Sequence, residues 1–526
     1  MGIPSYFSYI IKNHPEIINR LDKLGEIDNF YLDSNSVIYD CLRKLSTQYT
    51  GDDELFEEKL IMAVADQLNV YIDIVKPTHI TYIAFDGVAP VAKLEQQRNR
   101  RYKSYLDEHI RMTIDRDFKK GWDRTAITPG TNFMDKLGKF LTNKFKDNSE
   151  VMVSPSDEAG EGEHKIFQYI RDQGEHHKET TTLIYGLDAD LIMLCLNHLN
   201  VCKDIYLYRE TPEFIKSIDS NLEPNEHYFL DIPLLSDSII GEMCGFAPAK
   251  DTRHNTIYDY IFLTFFLGND FLPHFPSMNI RTNGMNILLA AYRNTIHSKG
   301  LNLTDGRTIF WGNLRIMIKF LADEEQANLR EEYKIRNRLE KRSYPCKTVE
   351  DKLQKLNNIP TKRREVEKFI DPYTKYWDKR YYSELFGNDI DERFIKGVCI
   401  NYMSGLEWVM RYYTTGCCDW RWHYRYDYPP TLNDLLSYIP HWDSVMIESN
   451  EFVPIEPMTQ LAYVLPRKSL GLIPDDIREV LLNKYSDNYP TNCEISWAFC
   501  KYFWESHIDL PCVDLDNLIV DTTNVP

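Results

Sequence analysis

Two pairs of acids spaced one residue apart are the residues of this chain best suited to chemistry. Glu161 and Glu163 flank a glycine, and Asp188 and Asp190 flank an alanine. A single acid after a strand is often only the cap of the next helix, but capping gives no reason for such pairs. Carboxylates that lie close together raise one another's pKa unless a cation neutralises them. The pairs therefore predict a site for a divalent cation.

Two further acids lie where apolar runs end, and a third lies within an apolar stretch. Asp33 directly follows residues 30–32, and Asp86 directly follows residues 82–85. Asp270 lies within an apolar stretch, where a lone charge would be costly to bury. Ligands of open α/β sheets bind outside the carboxyl ends of the strands, so these acids are expected at one edge. The predicted catalytic and metal-binding set is Asp33, Asp86, Glu161, Glu163, Asp188, Asp190 and Asp270.

The expected ligands are hard oxygen atoms, with no His or Cys predicted to converge on them. Such a set favours Mg²⁺ or Mn²⁺ over zinc. Two such ions about 3.5–4 Å apart suit in-line hydrolysis of a phosphodiester, because one activates water and the other stabilises the leaving oxygen. The acids therefore predict metal-assisted phosphoryl chemistry with two ions.

A basic helix is expected a few residues after Asp86. Pro90 suits the first turn of a helix, and the segment 91–103 follows it. A cationic face beside a metal site could hold a phosphate, although such a face taken alone is more often solvated surface. At 100° per residue, one face carries Lys93, Gln97, Arg100 and Arg101.

The elements that must position these residues are short apolar runs separated by amphipathic stretches. Such alternation predicts an α/β unit, with a mainly parallel sheet flanked by helices, over residues 1–300. The runs expected to be buried strands are 30–32, 80–85, 151–153, 182–187, 205–208 and 228–230.

The composition changes after this unit. Residues 322–341 are nearly all charged or amide residues, so 301–370 is expected to be a charged, solvated helical connector. Aromatic residues become dense again from 376 and peak at 412–428. A second, largely helical unit packed on the first is therefore expected over 371–526.

Composition bounds the class of protein only loosely. The formal net charge of −18 is weak evidence against a nucleic-acid partner, since net charge does not describe local clusters. The 11 dispersed cysteines fit a reducing compartment, and no signal peptide or membrane span is expected. A cytoplasmic location is the default expectation, with the nucleus not excluded.

Ordered blocks over most of the chain resemble the Xrn family of 5′→3′ exoribonucleases. No single short motif would be specific, but their number and order are. The matching blocks lie at 1–4, 32–35, 85–90, 97–101, 160–165, 185–190, 268–274, 405–409, 420–424 and 460–466, together with Lys93.

The resemblance implies a PIN/FEN-like nuclease core and a second region that completes an RNA channel. It implies Mg²⁺-dependent, processive 5′→3′ hydrolysis of single-stranded RNA carrying a 5′-monophosphate, with nucleoside monophosphates as products. The seven acids match the family's metal ligands, and the basic face matches its 5′-phosphate pocket. The family's larger members carry C-terminal modules, and the chain is expected to be a compact form without them. The residues matching its base-stacking positions are Tyr39, where relatives have His, and either Trp420 or Trp422.

Two other functions remain open from the sequence. A flap- or PIN-type structure-specific nuclease shares the acidic edge but would not need the basic face. A non-catalytic RNA-binding scaffold would gain nothing from acids gathered where phosphate must lie. Protein partners and RNA targets are not predicted.

Overall fold

The computed structural model describes residues 3, 5–210, 216, 220, 222–224, 226–245, 253–387 and 390–523. Its first half is built on a seven-stranded sheet. The strands are β1 Ile18–Arg20, β2 Asn29–Asp33, β3 Ile80–Ala84, β4 Val151–Ser154, β5 Thr181–Tyr185, β6 Asp204–Glu210 and β7 His227–Asp231.

The strand order is β1-β7-β6-β5-β2-β3-β4. The pairs within β6-β5-β2-β3-β4 are parallel, which confirms the predicted, mainly parallel sheet. The sixth predicted strand, at 228–230, is part of β7. At the other edge β7 runs antiparallel to both β6 and β1. The sequence did not predict this edge, because β1 has three residues and an apolar run does not reveal the direction of its pairing.

Helices cover both faces of this sheet, as predicted. Residues of β2 alternate between two apolar clusters, with Tyr31 in one and Phe30 and Leu32 in the other. The helices up to residue 295 are α1 Tyr6–Asn13, α2 Asn35–Leu45, α3 Asp53–Val75, α4 Val91–Ile114, α5 Asn132–Phe145, α6 Gly162–Asp172, α7 Gly174–His177, α8 Asp190–Asn197, α9 Ile232–Cys244, α10 Arg253–Thr264 and α11 Gly284–Thr295.

The described remainder of the chain is mainly helical and packs on the first half. Trp408 belongs to the same apolar cluster as Tyr31 and Ile184 of the sheet, which confirms the predicted packing. Two short strands, β8 Ile495–Ser496 and β9 His507–Ile508, pair with each other. The helices are α12 Trp311–Glu340, α13 Val349–Asn357, α14 Ile359–Lys362, α15 Glu365–Ile370, α16 Trp377–Phe386, α17 Glu392–Thr414, α18 Leu432–Tyr438, α19 Pro457–Val464, α20 Asp475–Lys484 and α21 Leu515–Thr523.

The charged segment from residue 322 differs from the solvated connector expected there. It is the second part of the 30-residue helix α12, and Glu325, Glu332 and Arg336 on it are buried. Arg336 pairs with Glu367 at 2.5 Å, and Glu325 accepts a hydrogen bond from the Leu432 amide at 3.0 Å. Partners distant in sequence thus bury charges that composition alone assigns to the surface. The unit boundaries at 300 and 370 stay a prediction.

Within the described residues, no helix is both long enough and apolar enough to cross a membrane.

Candidate metal and phosphate site

The acids meet where the order of the parallel strands reverses. β2 lies between β3 and β5, so the connections from these strands leave on opposite sides of it. Asp33 ends β2, and Asp86 comes two residues after β3. Asp188 follows β5, and Asp190 is the first residue of α8. This is the edge at which ligands bind in open α/β sheets.

The start of α6 brings its own pair of acids against this edge. The Gly162 amide donates a hydrogen bond to Asp86 Oδ1 at 2.7 Å. A Cβ atom at position 162 would lie 2.8 Å from Asp33 Oδ1, so only glycine permits this approach. Asn35 fixes the other oxygen of Asp86, donating from Nδ2 at 2.5 Å. Glu161 and Glu163, on either side of the glycine, are thereby delivered to Asp33 and Asp86.

Burial makes this group of carboxylates electrostatically strained. Burial, and then the neighbouring Asp86, raise the pKa of Asp33 well above its usual value. Burial and the charges of Glu161 and Asp190 do the same to the pKa of Glu163. Burial and Asp270 raise the pKa of Asp190 to about 7. A cation is required for all of these groups to be ionised together at neutral pH.

Lys93 supplies one positive charge at the centre of the group. Its Nζ lies 2.6 Å from Glu161 Oε2 and 2.7 Å from Asp270 Oδ2. Burial opposes ionisation of both partners, but the pairing holds the pKa of Asp270 below and that of Lys93 above its usual value. Lys93 was expected to contact a substrate phosphate. In this structure it lies among the acids.

The remaining polar atoms fit a bound cation. Glu163 Oε2, Asp190 Oδ1 and His164 Nδ1 are buried and have no hydrogen-bond partner among the described residues. Ligand atoms of Glu161, Glu163 and His164 all lie within 4.8 Å of one another. Burial lowers the pKa of His164 well below its usual value, so its ring is neutral and can accept. Unpartnered buried acceptors of this kind are what a cation would satisfy.

The structure of this site differs from the sequence predictions in two respects. The premise that no His converges on the acids was wrong, because His164 does. Its position in the block 160–165 was visible, but the sequence gives no sign of which way its ring turns. Asp188 also differs from the other acids: its side chain is exposed, whereas those of Asp33, Glu163 and Asp190 are buried.

Two adjacent tyrosines of α17 complete the acidic centre from the second half of the chain. The Tyr412 hydroxyl donates to Glu161 Oε1 at 2.9 Å, across 251 residues of sequence. Its ring stacks on that of His164, with centroids 3.7 Å apart. Burial, and then the nearby charge of Asp190, raise the pKa of the Tyr413 hydroxyl well above its usual value. Sequence reasoning missed both residues, because nothing local to 412–413 marks a contact with positions 161 or 190.

The basic face of α4 begins at this centre and continues away from it. Gln97 and Arg101 are buried, and Arg100 is half-buried. Gln97 Oε1 and Arg101 Nε lack hydrogen-bond partners, and no carboxylate pairs with Arg101 in the described part of the chain. Burial lowers the pKa of Arg101 to about 10, opposed first by the nearby Tyr39, whose side chain is 40% exposed. A buried cation that pairs with no carboxylate is suited to bind an anion. We call the group of Gln97, Arg100 and Arg101 the notch.

The two candidate tryptophans differ in their surroundings. Trp422 stacks on Trp408 at 5.1 Å, and its Nε1 donates to Ser404 Oγ at 3.1 Å. Trp408 in turn stacks on Tyr412 at 4.7 Å, so Trp422 extends the aromatic packing behind Glu161. The carbonyl of Trp420 accepts from the Val91 amide at 3.0 Å, at the first residue of α4. Among the described residues, its half-buried indole has neither a hydrogen bond nor a ring partner.

Arg209, near the end of β6, is a second cation that the sequence analysis missed. Its Nε and Nη1 atoms are buried and have no hydrogen-bond partner in the part of the chain that the structure describes, and its guanidinium lies 4.0 Å from the centre of the Phe7 ring. Burial lowers its pKa to about 10, opposed by Asp188. An Arg at the carboxyl end of a strand beside β5 was the available signal, since that edge also carries the acids.

The sequence of the chain matches known protein families. A family described as the XRN 5′-3′ exonuclease N-terminus matches residues 1–211. A second, described as the Xrn1 helical domain, matches residues 251–368 and 347–526, which together make up more than half of the chain. A solved structure of the catalytic core of Rad2 in complex with DNA substrate covers 63% of this chain and 79% of its own. Its identity is 14% and its TM-score is 0.33, so it adds no argument.

Curated relatives match almost the whole chain at moderate identity. The 5′-3′ exoribonuclease 1 of Schizosaccharomyces pombe is 27% identical over 99% of this chain and 48% of its own length. The 5′-3′ exoribonuclease 2 of Arabidopsis thaliana is 27% identical, over 99% of this chain and 67% of its own. The human 5′-3′ exoribonuclease 1 is also 27% identical, over 99% of this chain and 34% of its own length. The chain spans about half the length of the first of these, and it belongs to the XRN 5′-3′ exonuclease family.

Proposed function

We propose that this chain is a 5′→3′ exoribonuclease that hydrolyses single-stranded RNA bearing a 5′-monophosphate to nucleoside monophosphates, with two Mg²⁺ ions bound. The proposal is carried by one juxtaposition: α4 has Lys93 among the acids in its first turn and continues to Arg101, a buried cation that pairs with no carboxylate among the described residues. A phosphate held by Arg101 would place the next phosphodiester near the acids. Family membership supports the same activity.

The acids would hold the ions through the buried oxygens of Glu163 and Asp190, together with those of Asp33 and Asp86. Divalent cations bound there would activate water and stabilise the leaving oxygen. The preponderance of carboxylates over the one imidazole of His164 favours Mg²⁺, with Mn²⁺ as a substitute. Lys93 would keep Glu161 and Asp270 ionised and in place.

The notch would select the 5′ end. Arg101 and Gln97 would donate hydrogen bonds to a terminal phosphate, and Arg100 would add charge at its rim. Because Gln97 and Arg101 are themselves buried, little room remains for the additional phosphates of a triphosphate. Tyr39 lies near Arg101, where its exposed ring could stack on the first base.

The test is to digest one RNA sequence bearing a 5′-monophosphate, a 5′-hydroxyl or a 5′-triphosphate. Digestion should be fastest with the monophosphate, should release mononucleotides from the 5′ end, and should stop in EDTA. Adding back Mg²⁺, Mn²⁺ or Zn²⁺ separately would identify the metal. Equal digestion of the three RNAs, or undiminished digestion in EDTA, would contradict the proposal.

Tyr412→Phe is expected to slow RNA hydrolysis by about 10–100-fold, the range typical of groups that orient a metal ligand. The substitution keeps the stacking with His164 and Trp408 but frees Glu161 Oε1. The concentration of Mg²⁺ giving half-maximal rate should rise, whereas the free energy of unfolding should change by only about 1 kcal/mol.

Tyr402→Phe is the matched control for this variant. Tyr402 is also buried on α17, and its hydroxyl contacts the Pro273 carbonyl at 3.4 Å. Its loss should leave the Mg²⁺ requirement unaltered. An unchanged Mg²⁺ requirement in Tyr412→Phe itself would show that the tyrosine only packs.

Trp420→Ala and Trp422→Ala are expected to impair different properties, RNA binding and protein stability respectively. Loss of a base-stacking ring at 420 should raise the KM for single-stranded RNA about tenfold, with little effect on melting. Loss of Trp422 leaves a cavity beside Trp408 and should destabilise the protein by about 2 kcal/mol or more. Steady-state kinetics of both variants measure the KM, and thermal melting measures their stability. The reverse pattern would assign the stacking role to Trp422.

A further inference from the structure

Lys165, in the first turn of α6, is a buried cation to which the proposed function gives no role. Its Nζ donates hydrogen bonds to the Phe85 carbonyl at 2.9 Å and to the Pro155 carbonyl at 2.8 Å. Burial lowers the pKa of Lys165 to about 8, opposed first by the charge of Glu158. A buried ammonium group loses solvation that hydrogen bonds to carbonyls replace only in part. An apolar side chain would pack there at lower cost, so the position of the two carbonyls is what the lysine determines.

The Phe85 carbonyl lies where the pairing of β3 with β4 ends. The Phe85 amide still donates to the Ser154 carbonyl, at 3.0 Å. In the register of this parallel pair, with Ala84 opposite Ser154, the next donor would be the Ser156 amide, bound to the Phe85 carbonyl. Lys165 Nζ occupies that place. The lysine therefore bridges the two strand ends at the point where they separate.

The Phe85 carbonyl also belongs to the peptide unit that leads into Asp86. The other polar group of this unit is the Asp86 amide, which donates to Asn35 Oδ1 at 3.2 Å. Two side chains thus hold one peptide unit from both sides, Lys165 from α6 and Asn35 from α2. Because a peptide unit is planar, contacts at both of its polar groups fix its orientation. The direction in which the Asp86 side chain leaves the backbone is fixed with it.

We propose that Lys165 is a positioning residue of the metal site and acts through Asp86. By holding the Phe85 carbonyl, it keeps the Asp86 carboxylate where a divalent cation can bind. Lys165 also lies on the helix that begins beside Glu161 and carries Glu163, so it ties the strand end to these two acids. The inference rests on the proposed function, because it requires that the acids bind Mg²⁺.

The test is isothermal titration of the whole chain with Mg²⁺ in the absence of RNA, before and after the substitution Lys165→Met. Methionine is unbranched and favourable in a helix, but it cannot donate to the carbonyls. Mg²⁺ binding should weaken about 10–100-fold, the range typical of groups that orient a metal ligand. The sign of the change is informative, because loss of a nearby positive charge alone would strengthen the binding of a cation.

Lys103→Met is the matched control. The Nζ of Lys103, on α4, is also held by two carbonyls, those of Trp504 and Ser506 at 3.1 and 2.9 Å. Burial lowers the pKa of this lysine too. Both variants lose hydrogen bonds to two carbonyls, so both should lower the melting temperature in EDTA. Lys103→Met should nevertheless bind Mg²⁺ as the unmodified chain does.

A double-variant cycle tests whether Lys165 acts through Asp86. In an Asp86→Ala chain, Lys165→Met should hardly weaken Mg²⁺ binding further, because the ligand that the lysine positions is absent. Lys165→Arg keeps donors for the carbonyls and should bind Mg²⁺ more tightly than Lys165→Met.

Unchanged or stronger Mg²⁺ binding in Lys165→Met, or an equal loss with and without Asp86, would overturn the inference. No Mg²⁺ binding by the unmodified chain would overturn it together with the proposed function. RNA digestion is measured separately, so the two can fail independently. A chain that digests RNA while Lys165→Met binds Mg²⁺ normally refutes the inference alone. A chain that shows the expected Mg²⁺ binding but digests no RNA refutes only the proposed function.

Discussion

Glu163→Gln is expected to lower RNA hydrolysis by about 10³-fold while raising the melting temperature of the metal-free protein. The amide keeps the size of Glu163 but removes a charge that burial, Glu161 and Asp190 all oppose. Its Oε2, which has no hydrogen-bond partner within the described ranges, would also cease to be a metal ligand. Lost activity combined with gained stability separates a metal ligand from a structural acid.

The gain in stability should depend on pH with a definite sign. A carboxyl whose pKa is higher in the folded chain costs stability as the pH rises above its unfolded value, which for Glu is about 4.3. The glutamine variant lacks this cost. The difference in melting temperature between the two proteins in EDTA should therefore widen from about pH 4 upward.

Glu325→Gln is the matched control. Glu325 is also buried, and burial raises its pKa to about 8, but it lies on α12 and accepts from the Leu432 amide. This variant should retain RNA hydrolysis. If Glu163→Gln kept more than about a tenth of the activity, Glu163 would not be an essential ligand.

Arg101→Gln is expected to reduce kcat/KM for 5′-monophosphate RNA by about 10–100-fold, since a charged hydrogen bond contributes about 1.5–3 kcal/mol. Activity on 5′-hydroxyl RNA should hardly change, so discrimination between the two ends would collapse. The stability of the protein should not fall, because the buried side chain pairs with no carboxylate among the described residues.

Arg336→Gln provides the contrast. Arg336 is equally buried but pairs with Glu367 through two contacts, at 2.8 and 2.5 Å. Its loss should destabilise the protein by about 3–5 kcal/mol without altering the preference for a 5′-phosphate. Retention of that preference in Arg101→Gln would rule out the notch as the site of end recognition.

The parts of the fold that could be predicted are those with a local signature. The buried parallel strands are apolar runs, and the Asp residues after them mark the edge at which they end. The glycine between Glu161 and Glu163 was visible in the sequence, but the structure shows why it is needed: a Cβ atom there would lie 2.8 Å from Asp33 Oδ1.

The parts that could not be predicted depend on contacts between distant residues. Glu325 and Arg336 look like solvated helix surface until their partners at 432 and 367 are known. Lys93 shares a helical face with Gln97 and Arg101, yet it turns towards the acids, because Glu161 and Asp270 lie within reach. Helical periodicity predicts which face of a helix carries a residue, but not which neighbour a long side chain on that face will contact.

The position of the two α17 tyrosines against the acids has a consequence for biosynthesis. Glu161 and Asp190 are translated long before Tyr412 and Tyr413, so the N-terminal half emerges from the ribosome without the partners that complete its centre. A nascent chain reaches the observed arrangement only after α17 has been made and has docked. The order of synthesis therefore delays assembly of the proposed RNA-cleaving centre while the chain is still attached to its own messenger.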